Sequence, residues 1–263
     1  MDLVIIIGLI LAFFGIIGGN IVEGGDPTFL LNPPGIMIVV LGTIGATVAS
    51  QPLSTLRTFP KALMQAFTGS RKHDSNETVE LLVQMADKSR REGLLALEAQ
   101  TAEIEHPFLR KGVQLMIDGT DPELLREIME IDVDAMKHRH EGHYSILEFA
   151  GGIAPTMGVL GAVLGLITVM NYLDQPDKIG HGIAVAFVAT FYGIFTANVI
   201  FLPLANKLKT VSKHEIQSLM LIIEGLMSIQ AGDNPRIVRE KLEGFIEPAG
   251  RNSKSDDDLQ EAA

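Results

Sequence analysis

Residues Leu3–Val22 read LVIIIGLILAFFGIIGGNIV, a stretch of 20 residues without a charge. As an α-helix it is about 30 Å long, which matches the hydrocarbon core of a bilayer. It lacks the basic start, the short apolar centre and the A-x-A cleavage site of a secretory signal peptide. We therefore expect this stretch to stay in the membrane as a first transmembrane helix.

Three more uncharged apolar runs follow, namely Phe29–Ala49, Phe149–Leu173 and Ile183–Ala205. Each is long enough to cross a bilayer, and four such runs in two pairs argue against buried helices of a soluble protein. The chain averages of 47% hydrophobic and 20% charged residues conceal this segregation. We predict an all-α, polytopic membrane protein with four transmembrane helices and a helical cytoplasmic domain.

The basic residues predict the orientation. Lys178 is the single lysine or arginine in 1–51 and 148–206, and the other 20 of the 21 lie in 52–147 and 207–263. By the positive-inside rule, the large loop and both termini face the cytoplasm of a bacterial inner-membrane protein. The predicted organisation is transmembrane helices 1–2 (1–50), a cytoplasmic helical domain (51–147), transmembrane helices 3–4 (148–206), and cytoplasmic helices with a disordered tail (207–263).

The cytoplasmic segments are predicted to be helical, because their apolar residues follow the helical period and their capping residues mark helix starts. The predicted segments are Asn76–Lys88, Leu94–Ile104 after the break at Gly93, Pro107–Ile117, a long helix from Asp121–Pro122 towards the third span, Val211–Gln230, and a helix from Asn234–Pro235 to Ile246. The polar tail Arg251–Ala263 is predicted to be disordered.

Composition excludes several functions. The net charge of −11, without a long basic stripe, argues against nucleic-acid binding. A chain without cysteine has no disulfide, thiolate metal site or cysteine nucleophile. The sequence also contains no P-loop, no GxGxxG and no paired catalytic carboxylates, so we expect neither an enzyme nor a cofactor.

One histidine-rich segment, His138-Arg-His-Glu-Gly-His143, invites a metal-site interpretation. The spacings of two and three residues do not place all three imidazoles on one helix face. We favour a solvated helix next to the membrane and predict no metal site.

The third and fourth spans contain no Asp, Glu, Lys, Arg or His. An ion pathway needs ionisable or oxygen-rich groups at membrane depth, and here only hydroxyls, the Asn198 amide and proline-freed carbonyls are present. Pro155 and Pro203 each remove a backbone donor near the cytoplasmic side, which makes them candidate hinges. A titrating carboxylate would have to come from a partner helix.

Two of the spans carry glycines at spacings that let another helix approach closely. In the third span, Gly158, Gly161 and Gly165 predict close helix packing, and in the first span Gly15-x-x-x-Gly19 predicts the same. Together with the missing carboxylate, this pattern favours an oligomer or a partner helix.

Several motifs, in order, resemble the MotA/PomA family of bacterial flagellar stators. Ala150–Leu166 (AGGIAPTMGVLGAVLGL) is similar to the family's third span, and Gly182–Pro203, with Ala189-Thr190-Phe-Tyr-Gly, to its fourth. Lys88–Glu98 (KSRREGLLALE), Gly232–Arg236 (GDNPR) and the opening Met1-Asp-Leu are also typical of the family. The likeness covers nearly the whole chain apart from the last fifteen or so residues.

The resemblance implies a pentamer around a dimer of MotB-type subunits, which supply the ion-binding aspartate. Ion passage then turns the pentamer, whose cytoplasmic domain drives the rotor protein FliG. Pro155 and Pro203 match the family's two functional prolines, and Thr190 matches the threonine near the aspartate. Arg90 and Glu98 match the charged pair that contacts FliG, and Arg91 is an adjacent candidate.

The resemblance also bears on the coupling ion. Sodium-driven relatives carry threonine at the positions of Ala162 and Ala189. Because hard cations need several oxygen ligands and alanine side chains offer none, we expect protons to be the ion.

Two other functional classes stay open at this point. An ExbB/TolQ-type proton-channel subunit also surrounds partner helices, but it has three spans and lacks the Arg90–Glu98 signature. A scaffold or secondary transporter would be a different class, and a transporter should show polar substrate-binding groups or repeat-related broken helices.

Overall fold

The computed structural model describes residues 3–68 and 75–246, whose regular secondary structure is entirely helical, with no strand. This confirms the predicted all-α fold. The described residues form two compact units. Unit 1 comprises those of 1–70 and 139–211, and unit 2 those of 71–138 and 212–263.

The eleven α-helices of the described residues are α1 (Leu3–Val22), α2 (Pro33–Ile36), α3 (Gly42–Ser50), α4 (Leu53–Thr68), α5 (Ser75–Glu92), α6 (Glu98–Thr101), α7 (Pro107–Ile117), α8 (Pro122–Met170), α9 (Pro176–Phe195), α10 (Leu202–Gln230) and α11 (Pro235–Glu243). Two π-helical segments, Met37–Leu41 and Thr196–Phe201, connect α2 with α3 and α9 with α10. Two 3₁₀ turns occupy Pro27–Leu30 and Leu94–Leu97.

Four helical stretches are long and apolar enough to cross a membrane, as predicted. They are Val4–Val22, Pro33–Ser50, and windows within Pro122–Met170 and Gly182–Gln230. The first coincides with the predicted span. The third and fourth spans belong to helical stretches of 49 residues each, which are much longer than the membrane is thick.

The second span begins at Pro33 rather than at Phe29. Asp26 caps the 3₁₀ turn by accepting the Thr28 N–H at 2.9 Å, and Asn32 caps α2 by accepting the Gly35 N–H at 2.9 Å. Because of these two successive capping residues, the helix begins later in the sequence than predicted. The apolar composition of the run does not indicate this later start.

Unit 2 is built around a continuous apolar core. Its largest fully buried side chains come from α5, α7, α8, α10, α11 and the 3₁₀ turn at 94–97: Leu82, Met85, Leu97, Leu109, Met116, Leu125, Met129, Leu221, Ile222, Ile223, Leu226 and Leu242. At about 25 cal/mol per Å² of buried apolar surface, this core is the main stabilising contribution in the unit.

The prediction of one helix over Leu94–Ile104 is wrong. Gly93 has φ of 85°, so the chain leaves α5 in a left-handed conformation that favours glycine. A 3₁₀ turn follows because it buries Leu97 completely, and α6 then ends at Thr101.

Two other predicted boundaries change as well. The helix predicted from Val211 begins at Leu202, since α10 continues from the fourth span. The last helix ends at Glu243 rather than at Ile246. The predicted disordered tail, 251–263, lies outside the described residues.

The amphipathic helix α4 packs within unit 1. Phe59 and Leu63 contact a small buried cluster formed by Leu147, Leu204 and Leu208. The helix therefore lies against the polar ends of the third and fourth spans, although it belongs to the segment 51–147 that we expect to be cytoplasmic.

Candidate functional site

Helices α8 and α9 cross with their backbones in direct contact at two glycines. A Cβ atom at Gly158 would lie 2.9 Å from the Ala189 carbonyl oxygen, and one at Gly193 would lie 2.6 Å from the Ala154 carbonyl oxygen. Both distances are shorter than side chains tolerate. The two glycines are therefore what permits the crossing.

This crossing brings two predicted site residues together. The Cβ position of Gly193 is 3.1 Å from the Cα of Pro155, and that of Gly158 is 3.1 Å from the Cα of Thr190. The proline and the threonine, one on each helix, thus flank the same contact. Thr190 Oγ1 donates to the Ala186 carbonyl at 3.3 Å, which leaves its oxygen able to accept a hydrogen bond.

The glycine seam extends along α8. Cβ atoms at Gly161 and Gly165 would lie 2.8 and 3.2 Å from the Cβ atoms of Ala189 and Ala186. The small residues of the third span thus serve contact with the fourth span of the same chain. In α1, by contrast, a Cβ at Gly15 or at Gly19 would meet nothing within 4 Å among the described residues.

The two alanines that are predicted to bear on the coupling ion have different surroundings. Ala189 is fully buried and lies against Gly35 and Gly161. Ala162 is half-buried and lies seven residues after Pro155, two turns along the same face of α8. A larger side chain at residue 189 would have to displace a helix, whereas the face around residue 162 is more open.

The two prolines occupy different helical contexts. Pro155 lies inside α8, where it cannot donate to the carbonyl of Gly151. Pro203 is the second residue of α10 and lies two residues after the π-helical segment Thr196–Phe201, within the continuous helical stretch Gly182–Gln230. Gly151, whose carbonyl Pro155 leaves without a helical donor, packs against the neighbour of Pro203, because a Cβ at Gly151 would lie 2.7 Å from Leu202 Cδ2.

Asn32 and Gly35, which the sequence did not single out, join the second span to the fourth. The Asn32 N–H donates to Tyr192 Oη at 3.1 Å. A Cβ placed at Gly35 would lie 3.5 Å from the Ala189 Cα. The start of the second span therefore lies beside the residue before Thr190. The Asn-Pro-Pro pattern at 32–34 is a capping signal that could have drawn attention to this point.

Buried hydroxyls on α3 were also missed. Thr47 Oγ1 donates to the Thr43 carbonyl at 2.7 Å, and both side chains are buried. Thr43 Oγ1 has no hydrogen-bond partner within the described ranges. Their spacing of four residues places both on one helix face, which is the signal that the sequence offers.

In unit 2, the three predicted rotor-contact residues lie on either side of the Gly93 turn. Arg90 and Arg91 end α5, Glu98 begins α6, and all three are exposed. Arg91 Nε pairs with Asp87 Oδ1 at 3.1 Å. Arg90 and Glu98 form no ion pair with any residue that the structure describes, so their charges are available to a partner.

The helix that presents the arginines is fixed at its other end. Arg239 of α11 makes a bidentate contact with Glu80 of α5, with N–O distances of 2.6 and 2.8 Å. These hydrogen bonds hold the pKa of Glu80 below its usual value of 4.5. The contact tethers α11 to α5 over the core of unit 2.

The histidine segment shows no metal site. His143 Nε2 lies 2.9 Å from Thr58 Oγ1 of α4, and burial, followed by His140 and Arg139, lowers its pKa. Among residues 3–68 and 75–246, no group of three or more His, Asp or Glu side chains could hold a metal ion.

Comparisons with known proteins agree with these features. Residues 6–93 match the family described as motility protein A N-terminal, and residues 100–220 match the MotA/TolQ/ExbB proton channel family. Motility protein A of Bacillus subtilis (strain 168) is 40% identical over 242 residues, which are 92% of this chain and 90% of that protein.

Two solved structures are similar over almost the whole length. The structure of C. jejuni MotAB matches with a TM-score of 0.91 at 33% identity, covering 96% of this chain and 100% of the other. The flagellar MotAB stator complex from Bacillus subtilis matches with a TM-score of 0.86 at 38% identity, covering 98% of each chain.

Proposed function

Because this chain belongs to the motility protein A family, within the MotA/TolQ/ExbB proton channels, we propose that it is the A subunit of a flagellar motor stator. The MotA/PomA resemblance of the sequence is thereby confirmed. With a MotB-type partner, the chain forms an ion channel in the inner membrane and converts the ion gradient into torque on the rotor protein FliG.

The main observation behind this proposal is that the candidate ion pathway in the third and fourth spans lacks a carboxylate of its own. The third and fourth spans contain no Asp, Glu, Lys, Arg or His, yet α8 and α9 bring Pro155 and Thr190 to one crossing. A carboxylate at membrane depth then has to come from a second protein. The MotB-type aspartate fills this place, and five A subunits surround two B subunits.

Orientation follows from the basic residues. Twenty of the 21 lysines and arginines lie in 52–147 and 207–263, so these segments and the N-terminus face the cytoplasm. Unit 2, with its exposed charges, is then accessible to the rotor, and the short segments around Asp26 and Lys178 face outward.

The conformational change is assigned to the helix segments around the two prolines and the glycines that pack beside them. A protonation change on the partner aspartate alters the charge beside Thr190 and Pro155. Since Pro155 leaves the Gly151 carbonyl without its helical donor, α8 bends there at a lower cost than an intact helix would. Leu202 contacts Gly151, so a change in α8 reaches α10 beside Pro203.

We assign rotor contact to the charged residues on either side of the turn at Gly93. Arg90 and Glu98 present opposite charges that no described residue neutralises, which suits complementary steering of a charged rotor surface. Arg91 contributes less, because Asp87 already compensates its charge.

The coupling ion is the proton. Neither Ala162 nor Ala189 offers an oxygen ligand, and Ala189 is too tightly packed for a threonine to replace it without displacing Gly161. The channel therefore transfers protons through the partner aspartate and needs no dehydrated-cation site. It performs no enzymatic reaction.

A subunit of ExbB/TolQ type is less well supported. That function shares the matched region 100–220, but residues 6–93 match the N-terminal region of motility protein A, and the structure has four candidate spans. The proposal is tested by deleting the gene and complementing the strain. Loss of swimming with intact flagella, restored by the A and B genes together, supports it; normal swimming without any other stator contradicts it.

A further inference from the structure

We propose that Glu148 is the carboxylate that receives the proton at the cytoplasmic end of the pathway. The proposal rests on the stator function proposed above and adds to it a site on this chain. Glu148 lies at the polar end of the third span, immediately before Phe149. From there to Met170, α8 contains no other ionisable residue.

Helix geometry places Glu148 on the face that carries the pathway residues. Residues 148, 152, 155, 159 and 162 recur at the spacing of a single helix face. This face therefore contains Glu148, Pro155 and Ala162, with Glu148 about 10 Å from Pro155 along the helix axis.

The same face is open on both sides of Pro155. A Cβ at Gly152, before Pro155, would meet nothing within 4 Å, and Val159, after Pro155, is 54% exposed. Among the described residues, then, no side chain fills the space beside Gly152, over which a proton would travel past Pro155 towards Glu148. At the preceding residue, Gly151, the space beside the helix is filled by the Leu202 side chain.

Glu148 lies beside α10. Lys209 Nζ lies 3.7 Å from Glu148 Oε1 and 5.5 Å from the centre of the Tyr144 ring. Lys209 is two turns after Leu202, so the same side of α10 supplies both contacts with α8. Because both charged side chains are about half exposed, the pair contributes little to stability, and the α8 backbone rather than Lys209 sets the position of Glu148.

The transfer is balanced without another reactant. A hydronium ion or protonated water chain in the pathway gives a proton to a Glu148 carboxylate oxygen; one O–H bond forms there and one breaks on water. The carboxylic acid then releases the proton to cytoplasmic water and returns to the carboxylate.

The test measures proton flux through the assembled complex of this chain with its MotB-type partner, in vesicles carrying a defined pH gradient. Three variants are compared with the wild type: Glu148→Gln, which keeps the shape but removes the acceptor, Glu148→Asp, which keeps the carboxylate, and Lys209→Met, which breaks the ion pair but keeps Glu148. Complex assembly is quantified for each by co-purification.

The proposal predicts that Glu148→Gln lowers flux about tenfold or more with assembly unchanged, as expected for loss of a proton-transfer group. Glu148→Asp and Lys209→Met should retain most of the flux. Equal losses in Glu148→Gln and Lys209→Met would show a purely structural ion pair and overturn the inference. Wild-type flux in Glu148→Gln would also overturn it while leaving the stator function intact, whereas a wild-type complex that conducts no ion would contradict both.

Discussion

Asn32 and Tyr192 are joined by a hydrogen bond of 3.1 Å across 160 residues of sequence, in which the Asn32 N–H donates to the tyrosine hydroxyl oxygen. The bond fixes the capped start of the second span to α9, two residues after Thr190. Since Gly35 lies against Ala189 at the same place, the second span is part of the wall behind the α8–α9 crossing.

Replacing Tyr192 by phenylalanine should destabilise this arrangement. The substitution removes the acceptor and leaves the N–H of the buried Asn32 without a partner, at a cost of about 1–3 kcal/mol. The thermal unfolding midpoint of the purified complex should fall. Tyr144→Phe, which also removes a tyrosine hydroxyl but keeps the ring beside Lys209, serves as the control, and an equal fall in both variants would contradict the role of the Asn32 bond.

Replacing Gly193 by alanine should separate α8 from α9. The new Cβ would lie 2.6 Å from the Ala154 carbonyl oxygen and 3.0 Å from the Gly158 Cα, neither of which is a flexible side chain. Overpacking of this kind costs about 1–3 kcal/mol. Swimming should be lost or strongly reduced, as measured in soft agar and by tracking of single cells.

The matched control for this variant is Gly45→Ala, because a Cβ at Gly45 meets nothing within 4 Å. Membrane abundance is measured for both variants. Normal motility of the Gly193→Ala strain, with normal protein levels, would show that the close crossing is not required.

Much of this arrangement was accessible from sequence. The uncharged runs and their glycines predicted the spans and the tight packing, because hydrocarbon tolerates few other patterns. What the sequence did not reveal is which partner each glycine meets. Gly161 contacts the fourth span within the chain, whereas a Cβ at Gly15 would meet none of the described residues, and the two motifs look alike. The Asn32–Tyr192 bond was also inaccessible, because it depends on the relative depth of two helices.

Charge reversal at Arg90 should impair rotation more than charge reversal at Arg91. Arg90 has no ionic partner among the described residues, whereas Arg91 is paired with Asp87, so Arg90→Glu alters the charge offered to the rotor more directly. Torque is measured on tethered cells expressing each variant. Both variants should enter the membrane and bind the B subunit normally.

This rotor prediction has two ways to fail. Loss of assembly in Arg90→Glu would show that the residue is structural, and a larger torque loss in Arg91→Glu would reverse the assignment. A charge change at Glu98 in a strain that carries Arg90→Glu tests whether the two residues meet one partner surface.

Acidification should weaken unit 2 through Glu80. Hydrogen bonds from Arg239 lower the pKa of Glu80 below 4.5, so its contribution to folding is present above that value and is lost as the pH falls through the depressed pKa. Because the pair is about half exposed, the loss should be at most about 1 kcal/mol. Unfolding midpoints of the wild type and of Glu80→Gln, measured from pH 7 to pH 3, should converge at the acidic end. Parallel curves would contradict this role of Glu80.

The candidate sites were predictable to different degrees. Motif resemblance identified Pro155, Pro203 and Thr190 by position, but the meeting of Pro155 and Thr190 at one crossing depends on the register between α8 and α9, which no local pattern encodes. Glu148 belongs to none of the recognised motifs. It is a candidate because it shares a helix face with Pro155 and Ala162 and lies close to Lys209 on α10.

The most direct test of the central claim, that this chain is the A subunit of a proton-driven stator, is swimming speed in a stator-null host that expresses the chain with its B subunit, while the sodium and proton gradients are varied separately. The account predicts that speed follows the proton gradient, falls to zero with a protonophore and is unchanged when external sodium is removed. Swimming that needs external sodium and survives the protonophore would contradict proton coupling, and a host that stays non-motile with both proteins assembled would contradict the stator assignment.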